Sequence, residues 1–140
     1  MNPRPSQKPE GKIIATFRPH LEDHEWDTLE YFRSRGETIE LIKPSEIKKS
    51  RSADIIMDGK SYEIKSPTGG ARWTIEKQFA RAGRQAEHMI FDARRLNFPN
   101  KYRPDENYVV KEVGKRFHDK RHIKSLILIL KSGERKDFSK

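Results

Sequence analysis

Asp58-Gly59 lies between two alternating runs, residues 53–57 and 60–65, and such a pair leaves the backbone few alternatives. A two-residue type I′ turn needs positive φ at both central positions, which Asp and Gly tolerate and β-branched residues do not. With Asp58 and Gly59 as the loop, Met57 pairs with Lys60 and Asp54 falls opposite Glu63. Lys65, two residues further on, shares their face, because side chains alternate along a strand. A loop at Gly59-Lys60 would instead set Asp54 opposite Lys65 and leave Glu63 on the same face. Ala53, Ile55, Met57, Tyr62 and Ile64 form the apolar face. A hairpin over residues 52–66 with one greasy and one charged side is therefore expected. Directly opposed carboxylates cost a few tenths to about 1 kcal/mol. The charged face thus needs an offset: Lys65, an arginine from elsewhere, or a divalent metal. A solvated ion pair between Lys65 and its acidic neighbours is the plainer alternative, and such pairs contribute little.

Periodicity supplies the elements around the hairpin. Residues 12–17 read as a first strand. A helix starts near Leu21, where Trp26, Leu29 and Phe32 recur at helical spacing, acids crowd the first turns and Gly36 supplies a stop. Residues 38–42 read as a second strand ended by Lys43-Pro44. Beyond the small-residue loop 66–71, Thr74 is suited to cap a helix whose apolar stripe is Ile75, Phe79, Ala82 and Ala86. Lys77, Arg81, Arg84 and His88 follow nearly the same period on another side of it. Residues 88–93 read as a buried strand, and residues 106–120 as a helix with Val109, Val113 and Phe117 inward. Residues 125–131 are apolar on both faces, which marks a central strand, and residues 134–140 form a polar edge. The expectation is an α+β, or mixed α/β, fold: a single small domain over residues 12–140 with one central sheet and flanking helices. Residues 1–11, with three prolines, read as a flexible N-terminal arm.

Charge narrows the class of partner. The net charge is +9, yet residues 1–65 hold 12 basic and 12 acidic side chains, so the whole excess, 18 against 9, follows the hairpin. One-sided positive charge points to a polyanion, nucleic acid first and an acidic protein second, with a solvated basic surface as the bland reading. There is no cysteine, which excludes disulfides and thiolate metal sites. No apolar run approaches the ~20 residues of a membrane span, and the polar opening has no signal-peptide core. A soluble chain acting in the cytoplasm, with no membrane partner, is the expectation.

Acids and a lysine beside a basic helix are the equipment of phosphodiester cleavage. In a metal-dependent nuclease, Asp54 and Glu63 would hold Mg²⁺ and Lys65 would orient water or steady the charge on phosphorus. In a metal-free ribonuclease, one group takes the 2′-hydroxyl proton, Lys and Arg stabilise the phosphorane, and a second group protonates the leaving oxygen. Trp73 is placed to stack on a base, or to pack against the helix it introduces.

Asp54 followed by Tyr62-Glu63-Ile64-Lys65-Ser66-Pro67 resembles the D…ExK signature of the PD-(D/E)XK nucleases, with Gln78 or Gln85 where those enzymes often carry a glutamine. Over a longer span, residues 52–67, 74–93 and 122–133 resemble the CdiA C-terminal tRNase domains, toxin modules grouped with the barnase, EndoU, colicin and RelE nucleases. That resemblance implies an endoribonuclease of contact-dependent growth inhibition that cuts tRNA; no cofactor is expected, with Mg²⁺ as the alternative. It also implies a cognate immunity protein and, as in some relatives, a translation factor. Carried over by position, Glu63, Lys65, Thr74 and Gln85 line the site, with Asp54 and Arg81 beside them. Arg72, Trp73, Lys77, Arg81, Arg84 and His88 are the expected nucleic-acid contacts. None of His88, His118 and His122 matches a catalytic histidine of the group, so the general acid and base stay unassigned. Two rivals remain: a metal-dependent DNase with Mg²⁺ on Asp54 and Glu63, and a non-catalytic domain that binds nucleic acid or a partner.

Overall fold

The computed structural model describes residues 10–43, 54–69, 73–81, 87–97 and 106–140. Asp58 and Gly59 have φ of 54° and 75°, the two positive values a type I′ turn demands. Met57 pairs with Lys60, Ile56 with Ser61 and Ile55 with Tyr62, so of the two candidate loops the Asp58-Gly59 one is formed. This hairpin, β3 (Ile55–Met57) and β4 (Lys60–Lys65), sits at the middle of the sheet.

To one side, β3 pairs antiparallel with β2 (Ile39–Leu41), which pairs in parallel with β1 (Ile13–Ile14). To the other, β4, β5 (His88–Asp92) and β6 (Ser125–Ile129) run parallel, and β7 (Arg135–Ser139) closes the order antiparallel to β6. The seven described strands therefore lie in sequence order. The parallel steps need crossovers, which contain α2 (Thr74–Ala80) and α3 (Glu106–Asp119). Because both steps go the same way across the sheet, both helices land on one face. The third helix, α1 (Asp23–Arg33), also joins a parallel pair, β1 to β2, by a step in the same direction, yet it takes the other face, so its crossover has the opposite hand to those of α2 and α3.

Two cores result. Leu29, Tyr31 and Phe32 of α1 pack on Ile39, Ile55, Met57, Tyr62, Ile90 and Ile127. Ile75, Phe79, Val113 and Phe117 from α2 and α3 pack on Met89, Phe91, Leu126 and Leu128. β6 is buried on both faces, as a central strand must be. Asp92 ties the layers: buried at the end of β5, it accepts from Thr28 Oγ1 at 2.6 Å and from Arg94 Nη2 at 2.7 Å. Chain crossing is close at Gly11, whose N–H donates to Arg33 O at 2.8 Å and where a Cβ would lie 1.7 Å from Glu37 O.

Three details differ from periodicity. Only Ile13 and Ile14 of residues 12–17 are paired, since β2 gives them just two partners. Trp73, not Thr74, precedes α2, and Thr74 is its first helical residue. α2 ends at Ala80 with Arg81 as its cap residue, so His88 belongs to no helix and opens β5. Ala82, Arg84, Gln85 and Ala86 lie outside the described residues, as do residues 1–9 of the arm. Among the described residues no helix is long and apolar enough to cross a membrane.

Candidate active site at the carboxyl end of β4

On β4, Tyr62 and Ile64 face α1, so Glu63 and Lys65 face the other way. The register agrees: Glu63 lies beside Met89 and Lys65 beside Phe91, the face that α2 and α3 cover. Glu63 is buried, 6% exposed. Lys65 Nζ stands 3.1 Å from its Oε1. Burying a carboxylate is expensive without a counter-charge, and here the ammonium supplies it. The helices on this face pack over β5 to β7. Further out, Glu40 and Ser61 are exposed on the same side. The pair thus sits where the covered half of the sheet meets its open half.

Asp54 immediately precedes β3, and its N–H donates to Tyr62 O at 2.8 Å. Its carboxyl does not simply stand beside Glu63. β3 has not yet begun, so the Ile64 N–H lacks a strand partner at this point, and Asp54 Oδ2 accepts from it at 2.9 Å. The side chain is therefore drawn toward the sheet plane, and it lines a cavity of about 290 Å³ on the α1 face. The residue as a whole is exposed, but its carboxyl is desolvated, and this pushes its pKa up to about 6. The Ile64 N–H opposes the rise, the charge of Glu63 adds to it, Lys65 opposes it and Glu25 adds again. Asp54 thus shares its field with Glu63 and Lys65 while facing the other side of the sheet.

The loop after Lys65 is fastened in place. Gly69 bridges Leu96, Asn97 N–H donates to Gly69 O at 2.9 Å, and Arg95 Nη1 donates to Ser66 O at 2.9 Å. This holds the start of α2 against the end of β4. Thr74 is buried there, and its Oγ1 is 3.7 Å from the place a Cβ on Gly69 would take. Trp73 is 52% exposed, with Lys77 Nζ 6.0 Å from its ring centroid. Arg81 is exposed and Gln78 half-buried on the same helix.

His88 is separated from this group. It pairs with Tyr62 and shares its face, opposite to Glu63 and Lys65, and its Nδ1 is 2.6 Å from Ser125 Oγ. Desolvation and the charge of Lys60 lower its pKa. Arg72, Arg84 and Gln85 lie outside the described residues.

Glu25 is the residue that sequence reasoning passed over. Acids in a first helical turn read as charges that favour the helix dipole, and Glu25 does serve that way: its Oε1 accepts from Glu22 N–H at 3.0 Å in a capping box. Yet it also lines the cavity beside Asp54. Glu22, His24 and Glu25 bring ligand atoms within 4.8 Å of one another, a cluster that the helix start already explains. Asp92 is a second buried acid, but desolvation there is outweighed by hydrogen bonds from Arg94 and Thr28, which lower its pKa. Such a saturated carboxylate holds structure together.

Residues 51–135 match the family described as the contact-dependent growth inhibition CdiA C-terminal domain. Among solved structures, the chain is similar to a CdiA-CT/CdiI toxin and immunity complex from Burkholderia pseudomallei, with 13% identity and a TM-score of 0.55. The likeness covers 93% of this chain and 100% of that one, and at such identity it concerns the fold alone. No curated protein matches the chain.

Proposed function

The chain belongs to the contact-dependent growth inhibition CdiA C-terminal domain family, and from that premise we propose that it is a toxin nuclease, an endoribonuclease acting on tRNA. The observation that carries the reading is the buried Glu63–Lys65 pair, 3.1 Å apart at the boundary between the covered and open halves of the sheet. Lys65 is a fixed positive charge in a poorly solvated place, where it stabilises charge developing on a phosphoryl oxygen more strongly than it would in water. Asp54 faces the other side of the sheet, so in this scheme it acts on the pair through its charge and Glu63 is the carboxylate beside the reacting atoms. In that scheme one carboxylate takes the 2′-hydroxyl proton, and the 2′-oxygen attacks phosphorus. The P–O5′ bond breaks, and the departing oxygen is protonated by a carboxylic acid or by water. The products are a 2′,3′-cyclic phosphate and a free 5′-hydroxyl. Trp73, Lys77 and Arg81 would receive the RNA along α2.

The fold is shared with a chain of a toxin and immunity complex, which supports an immunity protein as partner here. Expression of the chain from a tight promoter, followed by sequencing of RNA ends, tests the activity. New tRNA ends that vanish with Glu63→Gln support the reading; normal growth with intact RNA sinks it.

One observation favours a metal-dependent DNase as second reading. The charges of Glu63 and Glu25 both push the Asp54 pKa up, and a hard divalent cation would offset that repulsion. Glu63 would hold Mg²⁺, joined by Asp54 once its carboxyl leaves Ile64 N–H and turns to the Glu63 face, and the ion when bound would supply Lewis-acid stabilisation of phosphoryl oxygens. Lys65 would then orient the attacking water. Loss of cleavage in EDTA that Mg²⁺ restores, with DNA cut as well as RNA, selects this reading.

A further inference from the structure

We propose that the solvent-facing side of α3 is a second RNA surface, which holds the backbone of a double-stranded stem while an unpaired end of the same molecule reaches Lys65. The inference rests on the ribonuclease reading above and names the kind of RNA that the site takes.

The helix supplies the geometry. Val109, Val113 and Phe117 turn α3 to the core, and Tyr108, Lys111, Lys115 and His118, spaced by three, four and three, occupy the opposite side. All four are exposed. At 1.5 Å per residue, the row from Lys111 to His118 is about 10 Å long. The two lysines have no acidic partner among the described residues, because the acids of this helix are engaged elsewhere. Glu112 is held by Arg116 at 2.9 Å, Glu106 accepts from Ser132 Oγ at 2.9 Å, and the charge of Asp119 acts on Lys140. Lys111 and Lys115 stand at i and i+4, where like charges destabilise a helix. A polyanion laid along the row removes that repulsion as well as adding contacts.

Position ties the row to the site. α2 and α3 cover the face of the sheet to which Lys65 points, and Arg116 Nη2, 3.5 Å from Glu76 Oε2, joins the two helices. Phe117 meets Phe138 of β7, so α3 stands two to three strands away from β4. At about 4.8 Å per strand that is roughly 10–15 Å. An RNA must therefore cross α2 to touch both places, which a mononucleotide does not. The helices also differ in what they offer. α2 begins beside the exposed Trp73 ring, the stacking platform that a single strand uses. On α3 the ring, Tyr108, stands at one end of a row of cations, which suits the phosphates of a stem whose bases are already paired.

Filter binding to the whole 140-residue chain carrying Glu63→Gln, which keeps the RNA intact, provides the test. The probes are an RNA hairpin with a long stem and an unpaired strand of equal length. Lys111→Ala with Lys115→Ala exchanges two exposed side chains for the residue most favourable in a helix. It is expected to flatten the salt slope of hairpin binding by about one to two and to weaken it about tenfold, with at most about a twofold change for the unpaired strand. Lys43→Ala with Lys60→Ala removes the same charge from exposed positions away from α3 and is expected to leave both probes bound as by the parent. An unchanged hairpin slope, the same loss on both probes, or the same loss from either pair of substitutions would each overturn the inference. If the α3 variant loses poly-glutamate binding while holding the hairpin as before, the face belongs to an acidic protein and the inference falls. The two readings separate. A hairpin held by α3 of a chain that cuts no RNA supports this surface and sinks the ribonuclease. RNA cleaved by a chain whose α3 variant binds the hairpin like the parent sinks this inference alone.

Discussion

Glu63 and Lys65 depend on each other in two ways that mutation can separate. Lys65→Ala removes the counter-charge of a buried carboxylate, which costs near the lower end of about 3–5 kcal/mol because Lys65 keeps some exposure. Glu63→Gln with Lys65→Met removes both charges together and is expected to melt closer to the parent, as thermal unfolding would report. Activity should behave differently: either change at Lys65 is expected to cost about 10²–10³ in kcat. A double variant that keeps parental cleavage would remove the pair from the chemistry. Asp54 makes a prediction in pH. Its folded pKa of about 6 lies above the ordinary 3.8, so the folded state holds that proton more tightly than the unfolded one. Its contribution to stability is fully present below about pH 4 and is lost as pH rises through about 6. Asp54→Asn does not titrate and keeps an acceptor for Ile64 N–H. Melts at pH 4, 5.5 and 7 should show the variant gaining on the parent as pH rises, and a constant gap would show that desolvation does not act there. The Glu63–Lys65 pair was legible because i and i+2 share a face on any strand. The turn of Asp54 toward Ile64 N–H was not, since it depends on where β3 begins.

At the scale of elements, the hairpin was readable from its turn and the helices from their stripes, whereas their ends were less so. Gly59 sits at φ 75° with open space around the place a Cβ would take. Gly59→Ala should therefore cost about 1–2 kcal/mol through backbone conformation alone, checked by denaturant unfolding with an unchanged m-value. The Asp92, Arg94 and Thr28 network is the second test. Breaking it with Asp92→Asn should cost about 3 kcal/mol by leaving Arg94 without its charge partner. The folded fraction should still cleave RNA within a few-fold of the parent, because this clamp joins α1 to β5 and makes no contact with Lys65 in the scheme above. A far larger loss would place the clamp in the site. The apolar stripe after Phe79 continues through Ala82 and Ala86 in sequence, yet α2 is capped at Arg81. Periodicity counts residues that can face a core and does not register where the chain must leave a helix to reach the next strand.

For the whole molecule, the excess of positive charge after residue 65 belongs largely to the part of the fold that carries α2, α3 and the strands beneath them. RNA binding should weaken linearly in log–log with salt. Lys77→Ala with Arg81→Ala should flatten that slope by about one to two, as filter binding at several salt concentrations would measure; an unaltered slope would remove α2 from the RNA path. The turn at Asp58-Gly59, the shared face of Glu63 and Lys65, the buried β6 and the uneven charge were all decided by sequence alone, because each follows from local backbone geometry or from counting. The tertiary structure alone decided that Glu25 meets Asp54 across 29 positions of chain, that His88 faces away from Lys65, and that a cavity opens beside Asp54. Those relations arise from which strands pair and from the layer each helix covers, and no local period encodes either.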